Sequence, residues 1–430
     1  MTSLQFLEIT DYLKTCIEGS EFEGHVFAVG GCMRDHLLNL PIKDIDICVD
    51  LPEGGIRFAE WLDSKKKTQD SIVIYPTFGT AMFRLKKFPF EEIEVVQTRK
   101  ECYRDEESRN PETSFGTIDD DCQRRDFTYN AIYYDISAKE IKYFNENSKS
   151  DLENNILRTC GDPNIIFDED PLRVMRAVRF ACKYNSTIEP ETYKGMKKHA
   201  ERLEIISRER IQEEITKILT GPFNDRGIRM LYYIGALPYV FPTLAAHDWE
   251  IHSIELGLQL ANTRDIAVNL AIIFWHCISP EQDLRYLKYS NTVINACLDI
   301  MDNSINGFLS HIVEDGLGSP KTIVNLRKFQ YGCRSFENMI GHMTYLYSIS
   351  PAYRDKKAQM MILKDKTIEM IQCASAMFGF KLPVDGDDVM MAKHIGPGKA
   401  VKEYLDLLME IAFVNPNITK DECITFLKYM

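Results

Sequence analysis

Several features that define common protein classes are missing from this 430-residue sequence. It has no apolar run long enough to cross a membrane, and its N-terminus mixes acids with apolar residues instead of showing a signal-peptide pattern. The twelve cysteines form no C-x-x-C pair, so neither a zinc site nor a disulfide framework is indicated. We therefore expect a cytoplasmic protein with reduced thiols and no membrane partner.

An excess of positive charge is also missing. The formal net charge is −13, which taken alone argues against a nucleic-acid partner. The total is an average, however, and local basic patches are compatible with it. Hydrophobic content of 45% and charged content of 27% are typical of a globular protein, and the length predicts two to four domains.

Hydrophobic periodicity divides the chain into a mixed N-terminal part and a helical remainder. Residues 1–24 read as an amphipathic helix, and five segments then read as strands: HVFAVGG, DIDICVD, SIVIYP, TAMFRLKK and EEIEVVQTR. The predicted fold class is α+β, with a five-stranded sheet in the head. The predicted domains are a mixed α/β head at 1–155, a helical neck at 156–240, a helical body at 241–380 and a helical tail at 381–430.

The first motif is VGGCMRDHLLNLPIKDIDI, residues 29–47. Gly30 and Gly31 follow a strand and open a helix, where backbone N–H groups can approach a phosphate. Asp44 and Asp46 are two residues apart, so in a strand their carboxylates project from one face. Paired carboxylates are typical ligands of Mg²⁺ that is shared with substrate phosphates. A dinucleotide site would need G-x-G-x-x-G, which this stretch lacks.

This combination resembles the first signature of class II tRNA nucleotidyltransferases, the CCA-adding enzymes, which reads GGxVRDxLL…DxD. Met33 stands here for the usual valine. The resemblance implies that Asp44 and Asp46 bind the catalytic Mg²⁺ ions. Glu94, in the strand segment EEIEVV, is a candidate third carboxylate. Arg34 stands at the predicted helix start, where a triphosphate would lie.

A second motif, RRDFTYNAIYYD at residues 124–135, resembles the family's RRDFTxNA signature. Arg124 and Arg125 are adjacent, so in an extended segment one can serve a triphosphate while the other serves the scaffold. Asp126 could orient either arginine by a bidentate pair, and Asn130 could contact the sugar. The alternative is a structural ion-pair cluster.

Residues 99–117 are polar and read as a long loop beside the site. The resemblance places the family's flexible loop here, with Arg99, Glu101, Tyr103 and Arg109. In the family this loop helps the switch from adding C to adding A. Its presence favours full CCA addition over CC addition alone.

A third motif, EDPLRVMRAVRF at residues 169–180, places Asp170 and Arg173 three residues apart on a predicted helix. Cytosine and adenine both present an exocyclic amine beside a ring-nitrogen acceptor, which a carboxylate next to a guanidinium can match. Guanine and uracil present the reverse pattern, and the same pair would reject them. The alternative is a capped helix with an ordinary ion pair.

The E-D-x-x-R pattern resembles the family's nucleotide-recognition motif. The resemblance implies that Asp170 and Arg173 read the base and that Glu169 positions the arginine. Arg176 and Arg179 follow on the same predicted helix and could contact either the phosphates or the next helix.

The C-terminal half is less informative. SRERIQEEITKIL, at residues 207–219, resembles the family's ERIxxE motif, whose members we assign to bracing the neck. His252 and His276 stand where many bacterial relatives carry a metal-dependent phosphohydrolase segment, but Cys277 replaces its aspartate. Because such hydrolysis needs the carboxylate, we expect a degenerate remnant without metal. The segment IGPGKAV resembles the family's tail, which contacts tRNA.

The sequence therefore predicts an enzyme that adds C, C and A to tRNA 3′ ends from CTP and ATP, with Mg²⁺ as cofactor and without a template. Its RNA partner would be the tRNA acceptor end, and no obligatory protein partner is evident. An enzyme that binds only one end of an RNA needs few phosphate contacts, so the net charge of −13 is compatible with an RNA substrate. The alternatives are an A-adding or CC-adding specialist, a poly(A) polymerase, and a non-catalytic RNA-binding module.

Overall fold

A computed structural model describes most of the chain, namely residues 1–76, 79–102, 112–244, 248–302, 305–308, 312, 320–350 and 357–430. The chain forms two compact units. The first comprises Met1–Glu214 and Tyr233–Tyr239, and the second comprises Ile215–Tyr232 and Val240–Met430. The finer division into head, neck, body and tail stays a prediction.

The first unit contains a mixed sheet of seven strands in the order β3-β4-β5-β2-β1-β8-β9. Strand β2 pairs with β5 in parallel, and every other pair in this sheet is antiparallel. Two small sheets pair β6 with β7 and β10 with β11. The described strands are β1 Val26–Val29, β2 Ile45–Val49, β3 Val73–Tyr75, β4 Thr80–Leu85, β5 Phe88–Gln97, β6 Arg99–Cys102, β7 Glu112–Phe115, β8 Ile132–Asp135, β9 Glu140–Tyr143, β10 Ile156–Leu157 and β11 Thr187–Ile188.

The described α-helices belong to both units. From the N-terminus they are α1 Ser3–Ile17, α2 Gly31–Leu37, α3 Gly54–Ser64, α4 Ile118–Gln123, α5 Ser148–Glu153, α6 Pro163–Glu169, α7 Leu172–Tyr184, α8 Pro190–His199, α9 Arg208–Leu219, α10 Asn224–Tyr233 and α11 Leu237–Val240. They continue as α12 Asp248–Ala261, α13 Ile266–Ile273, α14 Pro280–Tyr286, α15 Asn291–Ile300, α16 Pro320–Cys333, α17 Phe336–Ile349, α18 Lys357–Gln372, α19 Gly386–Lys393, α20 Lys399–Val414 and α21 Lys420–Tyr429. In these described parts of the chain, none is both long and apolar enough to cross a membrane.

The α+β class is confirmed, but the predicted count of five strands is wrong. The five predicted strands are β1 to β5, and the sheet gains β8 and β9 at one edge. Strand β8 lies inside the RRDFTYNAIYYD motif, where side-chain chemistry obscured the strand pattern, and β9 is short and mostly exposed. The first helix ends at Ile17, before two glycines with positive φ, and not at Gly24.

The two faces of the sheet have different neighbours because side chains alternate along each strand. Ile45, Ile47 and Val49 of β2 join a large apolar core with residues of α1 and α3. The intervening residues of the strand, Asp46 and Cys48, point to the opposite face. The face of Asp46 therefore combines polar groups with a smaller apolar cluster that includes Cys48 and Tyr133, while the other face carries the larger hydrophobic core.

The second unit is helical in its described part and includes a separate apolar cluster near the C-terminus, with Val389 and Leu408 among its buried members. A buried histidine, His342 of α17, lies in this unit with 0% exposure. Its Nδ1 is 2.8 Å from Asn306 Oδ1, whereas Nε2 has no hydrogen-bond partner in the described structure. Burial lowers the pKa of His342 from 6.5 to about 4, since protonation would leave a buried N–H without an acceptor.

We predict that His342 makes stability depend on pH. Between about pH 6.5 and 4 the unfolded chain binds a proton at this residue that the folded chain does not, so stability decreases as the pH falls through this window. The loss from this residue is at most about 3 kcal/mol. Urea unfolding of the full chain at several pH values measures it. His342→Gln should show a shallower decline, and an identical decline in the variant would contradict the prediction.

Candidate active site

A pair of carboxylates lies on the polar face of the sheet. Asp46 of β2 and Glu94 of β5 are direct partners in the parallel ladder, on strands about 4.8 Å apart. Burial and the nearby Glu94 raise the pKa of Asp46 to about 6. Asp44 precedes β2 and is 65% exposed, with its carboxylate 3.6 Å from Lys43 Nζ. The structure therefore brings Asp46 and Glu94 together and leaves Asp44 at the rim.

The chemistry of these oxygens fits a divalent cation. The pKa of Asp46 is raised first by burial and second by the negative charge of Glu94, and a bound cation would relieve both effects. Among the described residues, no three His, Cys, Asp or Glu side chains form a ready-made metal cage. An incomplete set of carboxylates is the arrangement used for Mg²⁺ whose remaining ligands are water and substrate phosphates.

Gly30 lies between β1 and α2, and its backbone passes close to the Asp46 carboxylate. Its φ is +83°, and a Cβ built on it would lie 3.2 Å from Asp46 Oδ2 and 3.6 Å from Arg125 Nη1. A side chain at this position would strain the backbone and crowd the carboxylate. The predicted sequence of strand, glycine pair, helix and second strand is confirmed, with Gly31 as the first residue of α2.

A buried acid, Asp121 of α4, holds the two adjacent arginines of the second motif. Its Oδ2 accepts from Arg125 Nε at 3.0 Å and from the Tyr133 hydroxyl at 2.9 Å, and its Oδ1 accepts from Arg124 Nε at 3.1 Å. Burial alone would raise the pKa of Asp121, but Arg125 and Arg124 outweigh it and lower the pKa to about 2. Sequence reasoning missed Asp121; its spacing three and four residues before the arginines was the available signal.

Asp126 orients an arginine, but not one of the two that the sequence suggested. Arg176 of α7 donates to Asp126 Oδ2 from Nε at 2.9 Å and from Nη2 at 2.7 Å. Arg124 and Arg125 are already held by Asp121 at the end of α4, so the extended geometry assumed for them does not apply. Asp126 thus links α7 to the second motif.

Arg34 lies inside the first unit with 5% exposure. It donates to Asn130 Oδ1 at 2.6 Å and to Asp35 Oδ1 at 2.8 Å, and its guanidinium is 4.7 Å from the centre of the Tyr184 ring. Asn130 Nδ2 in turn donates to Asp126 at 3.0 Å. In this structure Arg34 and Asn130 connect α2 to the second motif. Their contacts with triphosphate and sugar stay predictions.

Arg173 is nearly buried, at 9% exposure, and is held by three hydrogen bonds. It donates to the carbonyl of Ile166 at 3.1 Å, to Glu169 Oε2 at 3.2 Å and to the carbonyl of Arg124 at 2.9 Å. The contact with Glu169 is the one expected of a positioning acid. These bonds leave two of the five guanidinium N–H groups for a ligand.

The predicted pairing of Asp170 with Arg173 is absent from the described structure. Asp170 Oδ1 accepts from Leu172 N at 3.2 Å at the start of α7, and its Oδ2 accepts from Arg210 Nη2 at 3.1 Å. The reason is that α6 ends before Asp170 and α7 begins only at Leu172, so helical spacing does not hold across Pro171. Arg210, assigned from sequence to bracing alone, contacts the predicted base reader.

Of the remaining predicted residues, one links two helices, one lines the cleft, and three have side chains outside the described structure. Arg179 donates to Glu214 Oε2 at 2.6 Å, which ties α7 to α9. Arg99 begins β6 and lines the cleft described below. Glu101 lies on β6, but its side chain is outside the description, as are Tyr103 and Arg109 altogether.

These elements enclose an open cleft of about 810 Å³ on the polar face of the sheet. Asp46 and Glu94 lie within it, and Arg124, Arg125 and Arg176 line it together with Arg99. Cations beside a carboxylate pair can hold a polyphosphate while its metal is shared with the acids. The arrangement is suited to phosphoryl or nucleotidyl transfer.

Comparison with known proteins agrees with this chemistry. The family model described as Poly A polymerase head domain matches residues 26–158, and the one described as a probable RNA and SrmB-binding site of polymerase A matches residues 185–248. The head is thus that of a nucleotidyltransferase of the poly(A) polymerase superfamily, whose members use divalent metal ions.

Full-length relatives define the family. The chain is 32% identical to the tRNA nucleotidyltransferase cca1 of Schizosaccharomyces pombe, covering 94% of this chain and 91% of the relative. It is 34% identical to the CCA-adding enzyme of Staphylococcus saprophyticus, covering 88% of each. The fold is similar to that of the Bacillus stearothermophilus CCA-adding enzyme solved with CTP, at 24% identity, a TM-score of 0.72 and coverage of 100% and 98%. The chain belongs to the tRNA nucleotidyltransferases, the family of CCA-adding enzymes.

We predict that Asp121→Asn loosens the arginines of the cleft. Removing one charge of a buried ion pair costs about 3 kcal/mol of stability and leaves Arg124 and Arg125 without their common anchor. The melting temperature should fall, and the dissociation constant for nucleoside triphosphates should rise at least about tenfold. Asp119→Asn, which changes an exposed acid of the same helix, serves as the control. Unchanged triphosphate binding by Asp121→Asn would refute the assignment.

Proposed function

We propose that this protein completes the 3′ ends of tRNA by adding C, C and A from CTP and ATP, without a nucleic-acid template. The main support is the cleft that is lined by Asp46 and Glu94 together with Arg124, Arg125 and Arg176. The chain also belongs to the family of CCA-adding enzymes. The carboxylates supply the metal site and the arginines supply the triphosphate site. The cytoplasmic location and the absence of an obligatory protein partner stay predictions.

The RNA 3′-hydroxyl loses its proton to solvent, and its oxygen forms a bond to the α-phosphorus of the incoming nucleotide. The bond between this phosphorus and the oxygen bridging to the β-phosphate breaks, and pyrophosphate leaves. Arg124, Arg125 and Arg176 hold the triphosphate and stabilise the charge on the leaving group. Mg²⁺ held by Asp46 and Glu94, with Asp44 at the rim, would supply Lewis-acid stabilisation of the phosphate and of the attacking oxygen.

Base choice follows from side chains of α7 and the residues just before it. The anchored Arg173 has N–H groups left to donate to a ring-nitrogen acceptor, and Asp170 has lone pairs left to accept from an exocyclic amine. Cytosine and adenine satisfy both, whereas guanine and uracil place like groups against each. Because these two side chains are held separately, by Glu169 and by Arg210, each is positioned before the base arrives.

The tail is proposed to contact tRNA through part of its basic segment only. The Lys399 side chain is 90% exposed at the start of α20, and an RNA phosphate would compete with Glu403, whose carboxylate is 3.4 Å from Lys399 Nζ. Lys393 instead donates to the carbonyl of Leu427 at 3.0 Å and serves packing. The loss of phosphohydrolase activity in the segment containing His252 and His276 stays a prediction.

Substrate specificity can be tested with three tRNA transcripts, ending before CCA, after C and after CC. CTP alone should extend the first two, and ATP alone should extend only the third. Asp46→Asn should reduce incorporation by at least about a thousandfold because a metal carboxylate is lost. Asp70→Asn, an exposed acid outside the cleft, is the matched control.

Each rival function gives a distinct result in this assay. Failure to incorporate C would indicate an A-adding specialist, and failure to incorporate A would indicate a CC-adding one. Long A tracts on unrelated RNA would indicate a poly(A) polymerase. A wild-type protein that incorporates no nucleotide, and whose binding of tRNA is unchanged by Asp46→Asn, would indicate a non-catalytic RNA-binding module.

The recognition motif predicts a second result, on fidelity. Arg173→Ala should reduce discrimination against GTP and UTP by at least about tenfold, since one of two base-reading groups is removed. Single-nucleotide incorporation kinetics with all four triphosphates measure the ratio of kcat/KM values. Lys183→Ala, on the same helix and 47% exposed, should leave the ratio unchanged. Undiminished rejection of GTP and UTP by the Arg173 variant would overturn the base-reading role.

A further inference from the structure

An aromatic residue lies at one edge of the catalytic cleft with no role assigned so far. Tyr75 ends β3, the edge strand, and lines the cleft with 43% of its surface exposed. The described structure gives its hydroxyl no hydrogen-bond partner. Its ring is therefore presented to the cleft without being part of a polar network.

Strand register puts Tyr75 on the same face as the catalytic acids. Tyr75 pairs with Thr80 of β4, and Thr80 pairs with Val96 of β5. Glu94 and Val96 are two residues apart on β5, so their side chains share a face. Since directly paired residues project to the same side, Tyr75, Thr80 and Glu94 line one surface.

The order of strands places three kinds of group side by side along this surface. Arg125, bonded to Tyr133 of β8, lies on the side of β1 and β8. Asp46 and Glu94 occupy the middle on β2 and β5. Tyr75 lies on the far side, two strands beyond Glu94, which is about 10 Å at the usual spacing of strands. That gap is wide enough for a nucleotide.

The geometry of the reaction decides what fills this gap. In nucleotidyl transfer the attacking oxygen and the leaving group are roughly in line on opposite sides of the phosphorus. If Arg125, on the side of β1 and β8, holds the departing pyrophosphate, the attacking 3′-hydroxyl comes from the side of β4 and β3. On that side the cleft is lined by Thr80 and Tyr75.

We propose that Tyr75 is a stacking platform for the base of the RNA's 3′-terminal nucleotide. This inference rests on the proposed function and adds the subsite for the acceptor end. The terminal base changes with every addition, so a hydrogen-bonding reader suited to one base would fail at the next. An aromatic ring tolerates the change because every base has a π-face.

The test uses the full-length enzyme and a tRNA transcript ending before CCA. Tyr75→Ala should raise KM for the transcript about tenfold, the effect of losing one stacked base, while KM for CTP stays within about twofold. Tyr75→Phe should restore the transcript KM to within about twofold of wild type, since the ring is retained. Tyr143→Ala, a tyrosine of similar exposure (39%) on the opposite edge strand, should leave both KM values unchanged.

A transcript with an abasic 3′-terminal nucleotide identifies the occupant of the platform. With wild-type enzyme it should show the same tenfold rise in KM, and with Tyr75→Ala it should show no additional rise. Additive effects, an unchanged transcript KM for Tyr75→Ala, or a failure of Tyr75→Phe to restore it would each overturn the proposal. A wild-type enzyme that adds neither C nor A would instead refute the proposed function itself.

Discussion

Asp46 and Glu94 repel each other, and the surrounding structure is arranged to tolerate that repulsion. The parallel pairing of β2 with β5 forces the two carboxylates onto one face. Burial first and this repulsion second raise the pKa of Asp46, and the charges of Arg125 and Arg34 offset the rise in part. Asp121 holds Arg124 and Arg125 in place, and Asp126 holds Arg176. The catalytic carboxylates are thus flanked by arginines, which in turn are paired with further carboxylates.

The sequence motifs predict which residues belong to the site better than they predict which residues contact one another. The strand that carries Asp46 and the glycine pair before it follow from local patterns alone, whereas Asp44 lies just before that strand and not beside Asp46 within it. The closeness of Asp46 to Glu94 depends on pairing between segments nearly fifty residues apart, which no local pattern specifies. Glu94 was identified because it stands in a recognisable strand, not because its partner could be inferred.

Errors arose where regular structure was assumed to continue. Helical spacing predicts that Asp170 and Arg173 are neighbours, but the chain turns between α6 and α7, so each has another partner. The motif predicts an extended segment at Arg124 and Arg125, but these residues follow a short helix whose Asp121 anchors both. The sequence does not predict β8 because its residues lie within the RRDFTYNAIYYD motif, nor β9 because that strand is short and mostly exposed. In each case tertiary contacts overrode a local rule.

The hydrogen bond from Arg173 to the carbonyl of Arg124 has a consequence for accuracy. In the proposed function, Arg173 inspects the base and Arg124 belongs to the group that holds the phosphates. Because a guanidinium is planar and rigid, a base that displaces Arg173 would also pull on the backbone beneath the phosphate grip. A wrong nucleotide would then be held in poor alignment as well as weakly, and fidelity would be enforced at the chemical step, after binding.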